Sequence, residues 1–144
     1  MTDHNKDEWF PQYARYLPNF PLSFDDPVSI TVTATSLTSA HIIFHNLRTH
    51  QSQTINLSDQ SPPLCGFHAE WIVEDFWDSD GVPPVDFGTL VFERVGFETD
   101  GGVKGGVEGT RMEGIRESMD KPVLVQCVRL GGEGMECDFL GGRG

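Results

Sequence analysis

The sequence predicts an all-β fold, an antiparallel β-sandwich or jelly roll, on three observations. Short runs alternate apolar and polar residues with the period of a half-buried strand. Turn-forming residues separate these runs at fairly regular intervals, and few stretches carry helical spacing. Many short strands with few helical signals are the pattern of two packed sheets.

Each element follows from its own residues. Asp3–Asp26 sets Trp9, Phe10, Tyr13, Tyr16, Phe20 and Phe24 among Pro11, Pro18 and Pro21, with Pro27 just beyond. Proline at that density breaks helices and central strands, so the segment reads as an extended loop. Val28–Thr35 alternates apolar residues with Ser and Thr and predicts a first strand. Ala40–Asn46 and Gln53–Leu57 predict two more, joined by a polar turn around Arg48–Gln51. Phe67–Phe76 and Val85–Val95 follow, separated by a loop with Asp80-Gly81 and Pro83-Pro84. Phe87, Leu90, Val91 and Phe92 fall on both faces of the second of these, which predicts a central strand covered on both sides. Residues 101–109 form a glycine-rich loop, and Arg111–Lys121 is polar and open between a short helix and a loop. Val123–Leu130 and Met135–Leu140 predict a closing hairpin. The whole, 1–144, reads as one domain with a flexible start over about residues 1–7.

Composition narrows the function. A net charge of −12 and a pI near 4.6 argue against nucleic acid and anionic membrane surfaces, both of which call for a positive patch. No run approaches the ~20 apolar residues of a membrane span. The polar start MTDHNKDEWF lacks the apolar core of a secretory signal. Cysteines at 65, 127 and 137 form no zinc-like pattern. Cys127 and Cys137 flank Gly131–Gly134, and free thiols packed as small apolar groups are their simpler reading. A bond across the hairpin is the alternative and depends on register. His41 and His45 share a strand face too far apart to hold one ion, so they read as solvent-facing, and neither a metal nor any other cofactor is expected. The glycine-rich stretch lacks the Lys-Ser/Thr ending of a phosphate loop.

The chemistry concentrates in Cys65–Phe92. On a strand, Phe67, Ala69, Trp71 and Val73 point to one face, and His68, Glu70, Ile72, Glu74 and Phe76 to the other. Two carboxylates thus stand among apolar side chains, where partial desolvation raises a carboxyl pKa and suits it to acid–base work. Four residues of strand span about 13 Å, too far for Glu70 and Glu74 to share a proton unless a bulge intervenes.

The segments AEWIVEDF at Ala69–Phe76, DFGTLVF at Asp86–Phe92, EWFPQYARY at Glu8–Tyr16, SITVTATS at Ser29–Ser36 and LCG at Leu64–Gly66 occur in the order of one family. The chain resembles the eqolisins, fungal glutamic peptidases of the peptidase A4 family. The resemblance is strong from Glu8 to Phe92 and thin beyond. It implies a concanavalin A-like sandwich of two curved sheets with the site in the concave face. It also implies secretion, a protein or peptide substrate and hydrolysis in acid. Val73-Glu74-Asp75 matches the family's catalytic step and makes Glu74 the general base. Glu8 matches a glutamate that supports the site through hydrogen bonds, with Trp9, Phe10 and Tyr13 on the adjoining groove wall. Glu70 is open between a supporting or substrate-facing role and a solvated carboxylate.

The family pattern breaks upstream of Glu8. Eqolisins use a glutamine, in a Leu-Gln-x-Gly-Val-Asp stretch, to donate a hydrogen bond to the developing oxyanion. Such a donor is worth about 10²–10³ in rate. That stretch is absent from these residues, and Gln12, Gln51, Gln53, Gln60 and Gln126 match nothing catalytic. The expectation is therefore an N-terminally truncated member, an acid endopeptidase that is weak or inactive as written. The alternative is a non-catalytic β-sandwich that binds peptide or glycan, keeping the aromatics Trp9, Tyr13 and Trp71. A jelly-roll glycosidase with paired glutamates is disfavoured, because Ile72 stands where such enzymes place an aspartate and retaining chemistry wants carboxyls ~5 Å apart.

Overall fold

A computed structural model of the chain describes residues 17–66, 68–73, 86–116 and 119–141. These residues contain eight β-strands and no α-helix, and every strand pairing is antiparallel. The chain divides into two compact units, Met1–His68 and Ala69–Gly144.

The first unit carries β1 (Val28–Ser36), β2 (Ser39–Asn46) and β3 (Ser52–Leu57), in the order β1-β2-β3. The predicted runs form these strands within a residue or two of their expected ends. Register follows from alternation. Val32 lies opposite Ile42 and Ile42 opposite Ile55, while Thr31, Ile43 and Thr54 line up on the other face. Phe20 is buried and its ring centroid stands 6.1 Å from that of Phe44, so the described part of the proline-rich segment packs one aromatic onto the apolar face.

The end of this sheet is pinned by polar contacts. Asn46 is fully buried, and its Oδ1 accepts the backbone N–H groups of Arg48 at 2.9 Å and Thr49 at 3.0 Å. These two bonds close the turn before β3. Its Nδ2 donates to Asp26 Oδ2 at 2.8 Å, tying the β2 end to the loop ahead of β1. Asp26 also accepts the Ser23 backbone N–H at 2.9 Å and pairs through Oδ1 with Arg48 Nε at 2.7 Å.

The second unit holds β4 (Thr89–Glu93), β7 (Val125–Arg129) and β8 (Gly134–Phe139), in the order β4-β8-β7, and the short pair β5 (Phe97–Glu98) and β6 (Lys104–Gly105). The closing hairpin is present as β7–β8. Among the described residues β4 borders its sheet instead of running through the centre, and Leu90 and Val91 are 42% and 47% exposed. The two-sided apolar pattern therefore does not mark a covered strand here. Gly88, at φ 68°, sits just before β4 and donates to Asp86 Oδ1, so the strand starts later than the apolar run does. Arg111–Arg116 is not helical; Ile115 instead bridges to Val125.

Cys127 and Cys137 are opposite each other in the β7–β8 register and form a disulfide, with Cα atoms 4.0 Å apart. The free-thiol reading is thereby corrected for this pair. The Leu130 N–H bonds to the Gly134 carbonyl at 2.8 Å, which makes the 127–137 pair, three steps along, a non-hydrogen-bonded pair. At such pairs side chains approach most closely. Cys65 remains a free, half-buried thiol.

Two apolar clusters hold this unit. Val95, Val107 and Met135 form one, covered by Trp71, Phe92 and Met112. Leu124, Val125 and Cys137 form the other, covered by Val73, Phe87, Ile115 and Phe139 among others. The glycine-rich stretch feeds the first of them. At Gly106 an added Cβ would lie 2.5 Å from the Gly132 carbonyl oxygen, so a glycine there lets two backbone segments close over Val107.

Candidate active site

Of the site residues expected from sequence, Glu70 alone lies within the described residues. Glu74, Glu8, Trp9 and Tyr13 lie outside them. The segment leading to Glu74 is described from His68 to Val73. A strand is expected over Phe67–Phe76; Phe67 and residues 74–76 lie outside the described residues, and the 68–73 segment joins no described sheet. Its side-chain parity nevertheless follows the expectation from Glu70 onward. Trp71 packs on the Val95 cluster and Val73 on the Leu124 cluster, while Glu70 and Ile72 are exposed. Two inward anchors two residues apart fix which way this stretch faces. Trp71 is partly buried and packs against the Val95 cluster.

Glu70 is solvent-exposed and makes no hydrogen bond or ion pair among the described residues. His68 beside it is exposed as well. Among the described residues no three His, Cys, Asp or Glu side chains approach closely enough to hold a metal. His41 and His45 are partly buried, not simply solvent-facing, and the rings of His45 and His50 stand 6.4 Å apart.

The second unit also carries polar groups that sequence reading did not single out. Thr89 Oγ1 donates to Asp138 Oδ1 at 2.6 Å, and Gln126 lies opposite Asp138 on β7. A hydroxyl, a carboxylate and an amide thus cross the three strands in one row. In the sequence the three are dispersed over fifty residues, and only the register aligns them. A shallow cleft of about 340 Å³ opens at the far end of β4 and β8, lined by Val91, Phe92, Glu93, Arg94, Leu130 and Glu133 among others. It contains none of the expected site residues.

An antiparallel β protein with a carboxylate-bearing segment anchored on its core defines the class, and comparison with known proteins gives the family. Residues 6–139 match the Peptidase A4 family, and the chain belongs to it. It is 37% identical over 108 residues to Aspergillopepsin-2 of Aspergillus niger, a match covering 74% of this chain and 38% of that protein. To Scytalidopepsin B of Scytalidium lignicola it is 37% identical over 70 residues, 48% of this chain and 27% of that protein. The crystal structure of aspergilloglutamic peptidase from Aspergillus niger superposes with a TM-score of 0.80 at 33% identity, covering 92% of this chain and 77% of that one. The chain thus spans well under half the length of the curated relatives it matches. The expected eqolisin kinship and antiparallel β-sandwich class both hold.

Proposed function

We propose that the chain is a glutamic endopeptidase of the eqolisin type, acting in acid on protein or peptide substrates in the extracellular space. The observation that carries this reading is Val73-Glu74-Asp75 within AEWIVEDF, inside the stretch matched to the Peptidase A4 family. The inward packing of Trp71 and Val73 is consistent with it, because Glu70 and Ile72 between and before them are exposed, as the alternation in AEWIVEDF predicts.

The proposed chemistry is general base catalysis. The Glu74 carboxylate takes a proton from water as the water oxygen bonds to the peptide carbonyl carbon. The carbonyl electrons move onto oxygen to give a tetrahedral oxyanion. As the oxyanion collapses, the C–N bond breaks and Glu74 returns the proton to the leaving nitrogen. Glu8 and Glu70 are assigned supporting or substrate-facing roles, with Trp9 and Tyr13 on the groove wall. No cofactor enters these steps.

These 144 residues contain no Leu-Gln-x-Gly-Val-Asp stretch. An oxyanion without that amide donor loses about 3–4 kcal/mol of transition-state stabilisation. The 144-residue chain by itself is accordingly proposed to be slow or inactive, and a chain carrying the stretch to be active. The test is acid proteolysis by both forms, each with and without Glu74→Gln. Activity confined to the longer form and abolished by Glu74→Gln supports the reading. Activity that survives the substitution rejects it.

A further inference from the structure

The peptidase reading leaves one feature of β3 unused. The sequence has four asparagines, at 5, 19, 46 and 56, and only Asn56-Leu57-Ser58 has a hydroxyl residue two positions on and no intervening proline. That triplet is the acceptor pattern for N-linked glycan in secreted proteins. The structure adds what a triplet alone lacks. Asn46 is fully buried and spends its carboxamide on three hydrogen bonds. Asn56 is exposed and makes no side-chain hydrogen bond among the described residues, and Ser58 is exposed too.

Register shows where a glycan would stand. Asn56 pairs with His41, which pairs with Thr33, so it shares the polar side of the sheet with Thr31, Thr33, Ser52 and Thr54. Its neighbours Ile55 and Leu57 turn to the opposite, apolar side and are partly buried. A sugar on Nδ2 therefore leaves from the polar face and displaces nothing from the core. Among the described residues β3 also borders its sheet. A bordering strand offers unpaired backbone groups to other chains, and a bulky solvated group is one way to obstruct such pairing.

We propose that Asn56 is an N-glycosylation site. The donor is a lipid diphosphate-linked oligosaccharide, used by the host's transferase. Nδ2 bonds to the anomeric carbon, the C–O bond to diphosphate breaks, the lipid diphosphate leaves, and one amide proton is released to solvent. The proposal rests on the extracellular reading and is independent of Glu74 chemistry.

The test is to express the full chain behind a secretory leader in a eukaryotic host and map the peptide spanning Asn56 before and after amidase deglycosylation. The expected result is one glycan per chain, with Asn56 converted to Asp on release. Asn56→Gln and Ser58→Ala remove it, Ser58→Thr retains it, and Glu74→Gln leaves it unchanged. Secreted chain unmodified at Asn56, beside normally glycosylated host proteins, overturns the proposal. A glycan that survives Asn56→Gln does so as well. Acid proteolysis that survives Glu74→Gln in the longer form, with the glycan intact, counts against the peptidase reading alone.

Discussion

Asn46 Nδ2 donates to Asp26 Oδ2 at 2.8 Å across twenty residues of sequence, joining the end of β2 to the loop that precedes β1. Asn46 is wholly buried and the Asp26 side chain is 3% exposed. Removing the carboxamide leaves the Arg48 and Thr49 N–H groups without their acceptor and takes one of two N–H donors from Asp26 Oδ2, which keeps that of Ser23. Asn46→Ala is expected to lower stability by about 2–3 kcal/mol, and Asn46→Asp to be worse tolerated in neutral solution because it sets two carboxylates together. Urea unfolding of the three proteins checks this.

The same contact carries a pH dependence. The Ser23 backbone N–H, then the Asn46 amide, and to a lesser degree the Arg48 guanidinium hold the Asp26 carboxyl below its ordinary value, against an opposing effect of burial. A carboxyl lowered on folding contributes stability that is fully present above the unfolded carboxylate range. That contribution is lost as pH falls through the lowered folded value. Asp26→Asn should therefore unfold more easily in neutral solution and show a flatter acid limb. Unfolding midpoints followed from neutral pH into acid decide it, and parallel curves for the two proteins would refute the assignment.

The Cys127–Cys137 bridge closes a loop of sequence separation 10. Chain-entropy reasoning gives it about 2–3 kcal/mol. The double substitution Cys127→Ser, Cys137→Ser should lower stability by that much. The single substitution Cys127→Ser should also release one buried, unreactive thiol at Cys137, which is 0% exposed. Thiol titration before and after unfolding measures the second effect.

Gln53 presents the opposite case. Its Oε1 is buried with no hydrogen-bond partner, on the face of β3 opposite Phe44. A buried acceptor left unpaired costs about 1–3 kcal/mol. Gln53→Met, which keeps the length and removes the acceptor, should raise stability by about 1 kcal/mol. A loss of stability on thermal or urea unfolding would mean that the amide is satisfied in solution.

Legibility differed between segments for physical reasons. The strands β1, β3 and β8 were readable because apolar and polar residues alternate along Val28–Ser36, Ser52–Leu57 and Gly134–Phe139, and β2 and β7 because short apolar runs stand between turn-forming residues. The disulfide was not, since a one-residue slip of β7 on β8 would have turned Cys127 and Cys137 to opposite faces. Val107, 1% exposed, was missed because flanking glycines give it no periodicity to stand in. The glycines matter there through backbone proximity, which sequence does not display. At Ala69–Val73 parity was legible and ladder pairing was not, as parity depends on local burial and pairing on distant partners. Glu74 lies outside the described residues, and in the sequence it is the motif that singles it out from Glu70.

Gly105 and Gly106 make the proximity argument testable. A Cβ on Gly105 would meet the Phe97 ring at 2.6 Å, and one on Gly106 would meet backbone oxygens of Gly132 at 2.5 Å and Val95 at 3.0 Å. The Phe97 ring is 39% exposed and has room to swing aside, whereas the two backbone oxygens belong to segments fixed by the Val107 N–H and Val95 N–H bonds. Gly105→Ala should cost about 1 kcal/mol and Gly106→Ala about 3 kcal/mol, toward the upper range of overpacking. Equal losses in urea unfolding would show that the backbone approach at Gly106 is loose.

Glu70 and Trp71 are adjacent in sequence and separate fold from function. Trp71 lies against Val95, Val107 and Met135, and truncation of a large aromatic in a core costs about 3–5 kcal/mol, somewhat less where the ring is partly exposed. Trp71→Ala should therefore lower stability by about 2–4 kcal/mol and reduce any activity by depopulating the folded chain. Glu70 is exposed and without polar partners among the described residues, so Glu70→Gln should stay within about 0.5 kcal/mol of the parent. In an active, longer form, a supporting role for Glu70 predicts a fall in kcat/KM on Glu70→Gln with unfolding unchanged. A substrate-facing role predicts that the change falls mainly on KM, and an unchanged kcat/KM marks Glu70 as a solvated carboxylate.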